Sequence, residues 1–331
     1  MTEFKKLQNE SDIRGVAIET EGGKPVNLTQ NSVVRIGAAF ALFAADRANK
    51  PASELRIAIG RDSRLSGEQL TVWLADGIAS VGANAYDGGL ASTPAMFMCC
   101  VNELHFDAGI MVTASHLPME RNGMKFFTAI AGGLEKGDIT AILASAEEAA
   151  FPIAAQRGQC GTVDVMTPYV NGLKEKILSA LGCAKEEKPF SGLKIVVDAG
   201  NGAGGFFAER LLEPLGADIT GSRFLEPDGS FNSSSSIAVV FIIFSPRSLI
   251  IRNYPVKIKR FQKNSAKTPC SFCAFSVDVT HSNGHFCKEK GKPHLLNIFA
   301  DTRILSNNAA VQTSEASPSI SQNQYFFDFG K

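Results

Sequence analysis

The chain has no surplus of charge: Lys plus Arg total 33, Asp plus Glu total 33, and the formal net charge is zero. That balance gives no electrostatic reason to bind nucleic acid or an acidic membrane surface. Long apolar runs are missing too. The run Ile237-Ala238-Val239-Val240-Phe241-Ile242-Ile243-Phe244 is too short to cross a bilayer, and extending it meets Pro246 and Arg247. Met1-Thr2-Glu3-Phe4-Lys5-Lys6 lacks a signal-peptide core and lacks an Arg/Ser-rich transit character. Plastid import would require a start further upstream. Cysteine is sparse and odd in number: seven, scattered, with only Cys99-Cys100 adjacent. This argues against a disulfide framework and for reduced thiols in a cytoplasmic compartment. Hydrophobic content is 44%, ordinary for a globular core, and 331 residues suffice for two domains or slightly more.

What is present is concentrated in Thr113-Ala114-Ser115-His116-Leu117-Pro118, followed by Asn122-Gly123-Met124-Lys125. The apolar run Ala108-Gly109-Ile110-Met111-Val112 before it reads as a buried strand, which places Ser115 on a loop leaving a sheet. Asn122-Gly123 reads as a two-residue turn, and Lys125-Phe126-Phe127 as a returning strand that brings Lys125 back toward Ser115. A hydroxyl with an imidazole and an amine nearby is suited to holding and passing on a phosphoryl group. Taken singly, each residue has an ordinary role: the Ser as a turn or cap, the His as a satisfied polar group, the Lys as a solvated charge.

Strands alternate with helices along the first 151 residues, the pattern of an α/β sheet domain. A strand is expected at 13–18 and a helix at 30–50, with Val33, Val34, Ile36, Phe40 and Phe43 inward. A strand at 55–60 runs into Gly60-Arg61-Asp62-Ser63-Arg64-Leu65-Ser66-Gly67. Ser66 and Gln69 have capping-box spacing for the next helix, which Gly82 ends. A strand at 83–87 and helices at 93–100 and 138–150 complete this part. Beyond it, 163–181 reads as a connecting helix started or broken at Pro168. A strand at 193–198, a helix at 203–215 and a strand at 217–220 open a second sheet that stays incomplete. Such a sheet exposes an unpaired edge and apolar surface, so poor solubility or chaperone binding is expected, and a sharp cooperative melt would argue against it.

The segment around Ser115 resembles the phosphoserine loop of the α-D-phosphohexomutases, the phosphoglucomutase and phosphomannomutase relatives. Ser11-Asp12-Ile13-Arg14-Gly15 is similar to that family's opening strand and arginine turn, and Gly60 to Gly67 to its second arginine loop. Val196-Val197-Asp198-Ala199-Gly200-Asn201-Gly202-Ala203-Gly204 and Leu225-Glu226-Pro227-Asp228-Gly229-Ser230-Phe231 resemble its second domain. The resemblance spans residues 11–231 and departs at Leu117, where Asn is usual. It implies a mixed α/β sheet layered with helices, with residues 1–151 as domain 1 and 152–231 as a linker and partial domain 2. It implies a mutase in which Ser115 carries phosphate, Lys125 is the general acid/base, His116 assists, and Arg14 binds phosphate. Arg61 and Arg64 are either phosphate contacts or structural ion pairs with Asp62 or Glu68. Mg²⁺ on the phosphate of Ser115 and a hexose 1,6-bisphosphate activator are implied with it. The substrate would be a hexose phosphate: glucose, mannose and glucosamine phosphates remain open.

Three of the family's signatures do not occur in this sequence: the Asp-x-Asp-x-Asp-Arg metal loop, the Gly-Glu-x-Ser-Gly sugar loop and the Arg-x-Ser-x-Thr-Glu-Pro phosphate loop. Residues 232–331 are expected to be non-family sequence, from a retained intron, a frameshift or a mis-spliced gene model, and poorly ordered. Rival readings exist. Gly200-x-Gly202-x-x-Gly205 after a strand fits a dinucleotide fingerprint, with Asp218 or Glu226 near the ribose distance, which would make the chain an NAD-dependent oxidoreductase. Cys270, Cys273, His281 and His285 offer zinc-type ligands at a spacing too short for a finger. A non-catalytic phosphosugar-binding or interaction fragment is the remaining alternative.

Overall fold

The computed structural model describes residues 3–147, 151, 154–229 and the backbone of Val240–Phe244. The cysteines and histidines of the zinc reading, Phe231 and the Ser/Asn/Gln-rich tail lie outside the described residues.

In chain order the elements are β1 (Gln8–Asn9), β2 (Asp12–Val16), α1 (Gln30–Ala48), β3 (Arg56–Arg61), α2 (Gly67–Ser80), β4 (Asn84–Leu90), α3 (Thr93–Met98), β5 (Ala108–Val112), β6 (Arg121–Thr128), β7 (Gly132–Gly133), α4 (Lys136–Glu147), β8 (Cys160–Thr162), α5 (Met166–Leu181) and β9 (Lys194–Asp198). The main sheet runs β1-β2-β6-β5-β3-β4-β8, with β7 beside β6. Its β5-β3-β4-β8 half is parallel, while β1, β2 and β6 are antiparallel to their neighbours. The sheet is mixed, as expected.

Alternation along the central strands sorts side chains onto two cores. Ile57, Ile59, Ile110, Val112, Met124 and Phe126 pack with Val33, Ile36 and Phe40 of α1, Leu70 and Leu74 of α2, and Ile142 of α4. Ala58, Met111 and Phe127 face the other side, with Met96 of α3, Val170 and Ile177 of α5, and Ile195 and Val197 of β9. Burial on both faces explains why β5 is an unbroken apolar run. Each large side chain so buried contributes roughly 1.5–3 kcal/mol. Thr29 caps α1 by accepting from the Ser32 amide at 3.2 Å.

Four expectations fail locally. Asn122-Gly123 is not a turn but lies inside β6, paired with Arg14 and Gly15 of β2. Asn122 is fully buried and its Nδ2 donates to Ser66 Oγ at 2.9 Å, a tertiary bond that overrides the turn preference of the dipeptide. A Cβ on Gly123 would lie 2.1 Å from the Ile13 carbonyl oxygen, so only glycine fits between the strands. The same bond occupies the Ser66 hydroxyl, so Ser66 precedes α2 without a side-chain cap. The helix expected at 203–215 is a 3-10 turn at Ala203–Gly205 followed by a π-helical Phe207–Leu212. Gly202, Gly204 and Gly205 weaken regular helix there. The strand at 217–220 is reduced to isolated parallel bridges, Lys194 with Asp218 and Asp198 with Arg223. On its other side β9 pairs antiparallel with Val240–Phe244, so both edges of β9 are engaged. Among the described residues no helix is long and apolar enough to cross a membrane.

Candidate active site

The chain leaves the sheet after Val112, and the loop 113–120 carries it into β6. The ladder ends where the Thr113 amide donates to the Gly123 carbonyl at 3.0 Å. Ser115 then adopts the left-handed conformation, φ +54°, at the partly exposed rim. A non-glycine residue pays about 1–2 kcal/mol for that backbone and holds it only if the surroundings over-determine it.

They do so through a polar frame. Thr113 Oγ1 donates to Asp62 Oδ2 at 2.6 Å and accepts from the Ser115 amide at 3.0 Å. Asp62 Oδ1 accepts from the Arg64 amide at 3.1 Å. The Arg64 side chain is fully buried. Its Nη1 donates to the carbonyls of Pro118 (2.8 Å) and Arg121 (2.9 Å), and its Nη2 to those of Ser115 (2.8 Å) and Leu117 (2.7 Å). One guanidinium therefore ties down three carbonyls of the loop and the first of β6, a task for a rigid fork of five donors. Arg64 Nε lies 3.4 Å from Asp62 Oδ2. Burial pushes the Asp62 carboxyl above the usual range, opposed by the Thr113 hydrogen bond and the Arg64 charge. Burial likewise lowers Arg64, opposed by Asp62; a guanidinium nevertheless stays protonated in a protein.

Beside the loop lies a second cluster. Pairing of Ile13 with Met124 and of Arg14 with Gly123 sets Asp12 opposite Lys125 on one face of the sheet. Lys125 Nζ donates to Asp12 Oδ2 at 2.6 Å, and Arg14 Nη2 donates to the same oxygen at 2.9 Å. Arg14 Nη1 reaches the Thr113 carbonyl, which ties this cluster to the base of the loop. Arg14 is buried, while Lys125 retains 29% side-chain exposure and can meet a solute.

Of the residues singled out in the sequence, Arg14 and Lys125 meet at Asp12, and Arg14 reaches the base of the loop that carries Ser115 and His116. His116 is exposed, with Nδ1 3.4 Å from Ser115 Oγ. Of the two readings open for Arg64, the geometry takes the structural one. Arg61 Nη2 pairs with exposed Glu68 at 2.7 Å, and its Nε is buried with no hydrogen-bond partner among the described residues. Sequence reasoning missed Asp12, and saw Asp62 only as an ion-pair partner and Thr113 only as a loop residue. Asp12 was findable, since it shares a strand face with Arg14 two residues on.

Residues 5–152 match the model of the phosphoglucomutase/phosphomannomutase α/β/α domain I. The chain is 34% identical over 221 residues to a phosphoglucomutase of Neisseria meningitidis, covering 66% of this chain and 42% of that protein. It is 34% identical over 230 residues to a phosphoglucosamine mutase of Carboxydothermus hydrogenoformans, covering 68% and 47%. A solved phosphoglucomutase/phosphomannomutase family protein from Burkholderia thailandensis superposes with TM-score 0.52 at 28% identity, covering 70% of this chain and 46% of that one. The similarity is to a phosphohexomutase domain I over residues 5–152. The chain spans under half the length of these relatives.

Within this segment, Asp12 and Asp62, the acids tied to the frame of the Ser115 loop, do not fit a magnesium site. Asp12 is committed to Arg14 and Lys125, and Asp62 to Thr113 and Arg64. Magnesium needs several hard oxygen ligands with room for waters, and no group of three His, Cys, Asp or Glu stands ready among the described residues. The dinucleotide reading fails on geometry as well. No regular helix follows the glycines: a 3-10 turn at Ala203–Gly205 and a π-helical Phe207–Leu212 stand where a helix N-terminus would have to bind a pyrophosphate.

Proposed function

We propose that the chain carries the phosphoryl-accepting half of a phosphohexose mutase, with Ser115 as the phosphoserine. The observation that carries this reading is a rim serine in a left-handed conformation, braced by Arg64 and adjoining the Asp12–Arg14–Lys125 cluster. In the proposed step the bond between a sugar oxygen of a hexose 1,6-bisphosphate and its phosphorus breaks as the Ser115 Oγ–phosphorus bond forms. The serine proton passes to a neighbouring base, His116 being nearest, and the departing sugar oxygen takes a proton from Lys125. The reverse step, from the phosphoserine to the free hydroxyl of an incoming hexose monophosphate, regenerates the bisphosphate and completes the isomerisation. The guanidinium groups of Arg14 and Arg61 supply positive charge toward the phosphate.

The described residues do not hold magnesium, and no step is drawn through it. With the metal, sugar and third phosphate signatures missing from its sequence, the 331-residue chain is proposed to lack turnover by itself. The substrate is a hexose phosphate, and the compartment a reducing, cytoplasm-like one. A mutase assay of this chain beside one restored to family length tests the reading. Activity is expected only in the restored form and is lost in Ser115→Ala; turnover by the 331-residue chain would refute the incompleteness argument.

A further inference from the structure

The segment 224–229, beyond the family domain I, touches the frame of the Ser115 loop. Asn201 holds this segment. Its amide donates to the Phe224 carbonyl at 2.8 Å, its Nδ2 to the Glu226 carbonyl at 2.8 Å, and its own carbonyl accepts from the Asp228 amide at 3.3 Å. Asn201 makes these bonds from a left-handed backbone, φ +56°, which asparagine tolerates better than most residues. The segment then ends on Gly229, φ +70°. A Cβ there would lie 2.6 Å from the Ser63 carbonyl oxygen and 2.9 Å from Leu65 Cδ2. The backbone at Gly229 is therefore seated directly on the residues flanking Arg64, the side chain that grips three carbonyls of the 113–120 loop and that of Arg121.

We propose that Asn201 and Gly229 are positioning residues for the phosphoserine loop: the second domain's 224–229 segment presses on Ser63 and Leu65 and so fixes Arg64 against the loop. The chain of contacts is continuous, Asn201 to Glu226, Gly229 to Ser63, Arg64 to Ser115, and each link is a hydrogen bond or a close backbone approach. The functional meaning of the seat rests on the phosphoserine reading; the coupling itself does not.

Hydrogen exchange on the 331-residue chain tests it without turnover, so its outcome is separate from that of the mutase reading. Asn201→Ala removes the bond to Glu226 and disfavours the left-handed backbone, and Gly229→Ala adds a clash with backbone. In both, amides of the 113–121 peptide are expected to exchange about tenfold faster, since a misplaced left-handed residue costs about 1–2 kcal/mol. Peptides of α1 (30–48) should be unchanged, and Asn201→Gly, which keeps the backbone conformation, should restore much of the protection. Should Gly229→Ala unfold globally, Asn201→Ala decides. Unchanged exchange at 113–121 in Asn201→Ala, with faster exchange at 224–229, overturns the proposal.

Discussion

Arg64→Met keeps most of the length of the side chain and removes every guanidinium donor. Ser115 and Leu117 are half-buried residues and Pro118 an exposed one, so water admitted by the substitution can reach their carbonyls and this is the smaller part of the loss. Asp62 is different: its side chain is 14% exposed and is left without its counter-charge. Removing one member of a buried pair costs about 3–5 kcal/mol, a large share of a domain's roughly 5–15 kcal/mol. The cost depends on pH. Burial raises the Asp62 carboxyl above its ordinary 3.8 in the folded protein, and losing Arg64 raises it further. The folded state therefore takes up a proton that the unfolded state does not, in the window between 3.8 and the raised value. Asp62 is most unfavourable above that window and is relieved as pH falls through it. The loss in Arg64→Met is thus near full at neutral pH and shrinks in mild acid. Urea unfolding read through Trp73, the only tryptophan and one packed against the first core, measures it. A loss below about 1 kcal/mol, or one equal at neutral and acid pH, would refute the reasoning.

Relief of the Ser115 backbone should be visible as well: Ser115→Gly is expected to stabilise the chain by about 0.5–1 kcal/mol in urea, while Ser115→Ala, equally unable to carry phosphate, leaves the strain in place. Equal stability of the two variants would show that the loop is not strained. Asp12→Asn withdraws the carboxylate shared by Arg14 and Lys125, with an expected loss of about 1.5–3 kcal/mol in the same assay. A change within about 0.5 kcal/mol would mean that the cluster is not coupled.

The Ser115 loop and its strands were legible because they combine an apolar run, a loop and a returning strand in a short stretch. The frame that holds the loop was not. Asp62 and Arg64 follow β3 while Thr113 follows β5, and nothing local distinguishes a buried arginine gripping carbonyls from one awaiting a phosphate. Asn122-Gly123 misled for a related reason: its turn preference is local, while the bond of Asn122 to Ser66 bridges 56 positions. A helix is expected after β9, but three glycines in four residues dissolve its first turn. The glycine pattern that suggested a dinucleotide instead lets the chain pack on its own Leu225.

The central claim is that Ser115 Oγ becomes a phosphate ester. Peptide mapping by mass spectrometry, after the family-length chain is incubated with glucose 1,6-bisphosphate, reads this directly. One phosphoryl group on the peptide holding Ser115, and none in Ser115→Ala, is the predicted result. An unmodified Ser115, or a phosphoryl group that persists in Ser115→Ala, would contradict it.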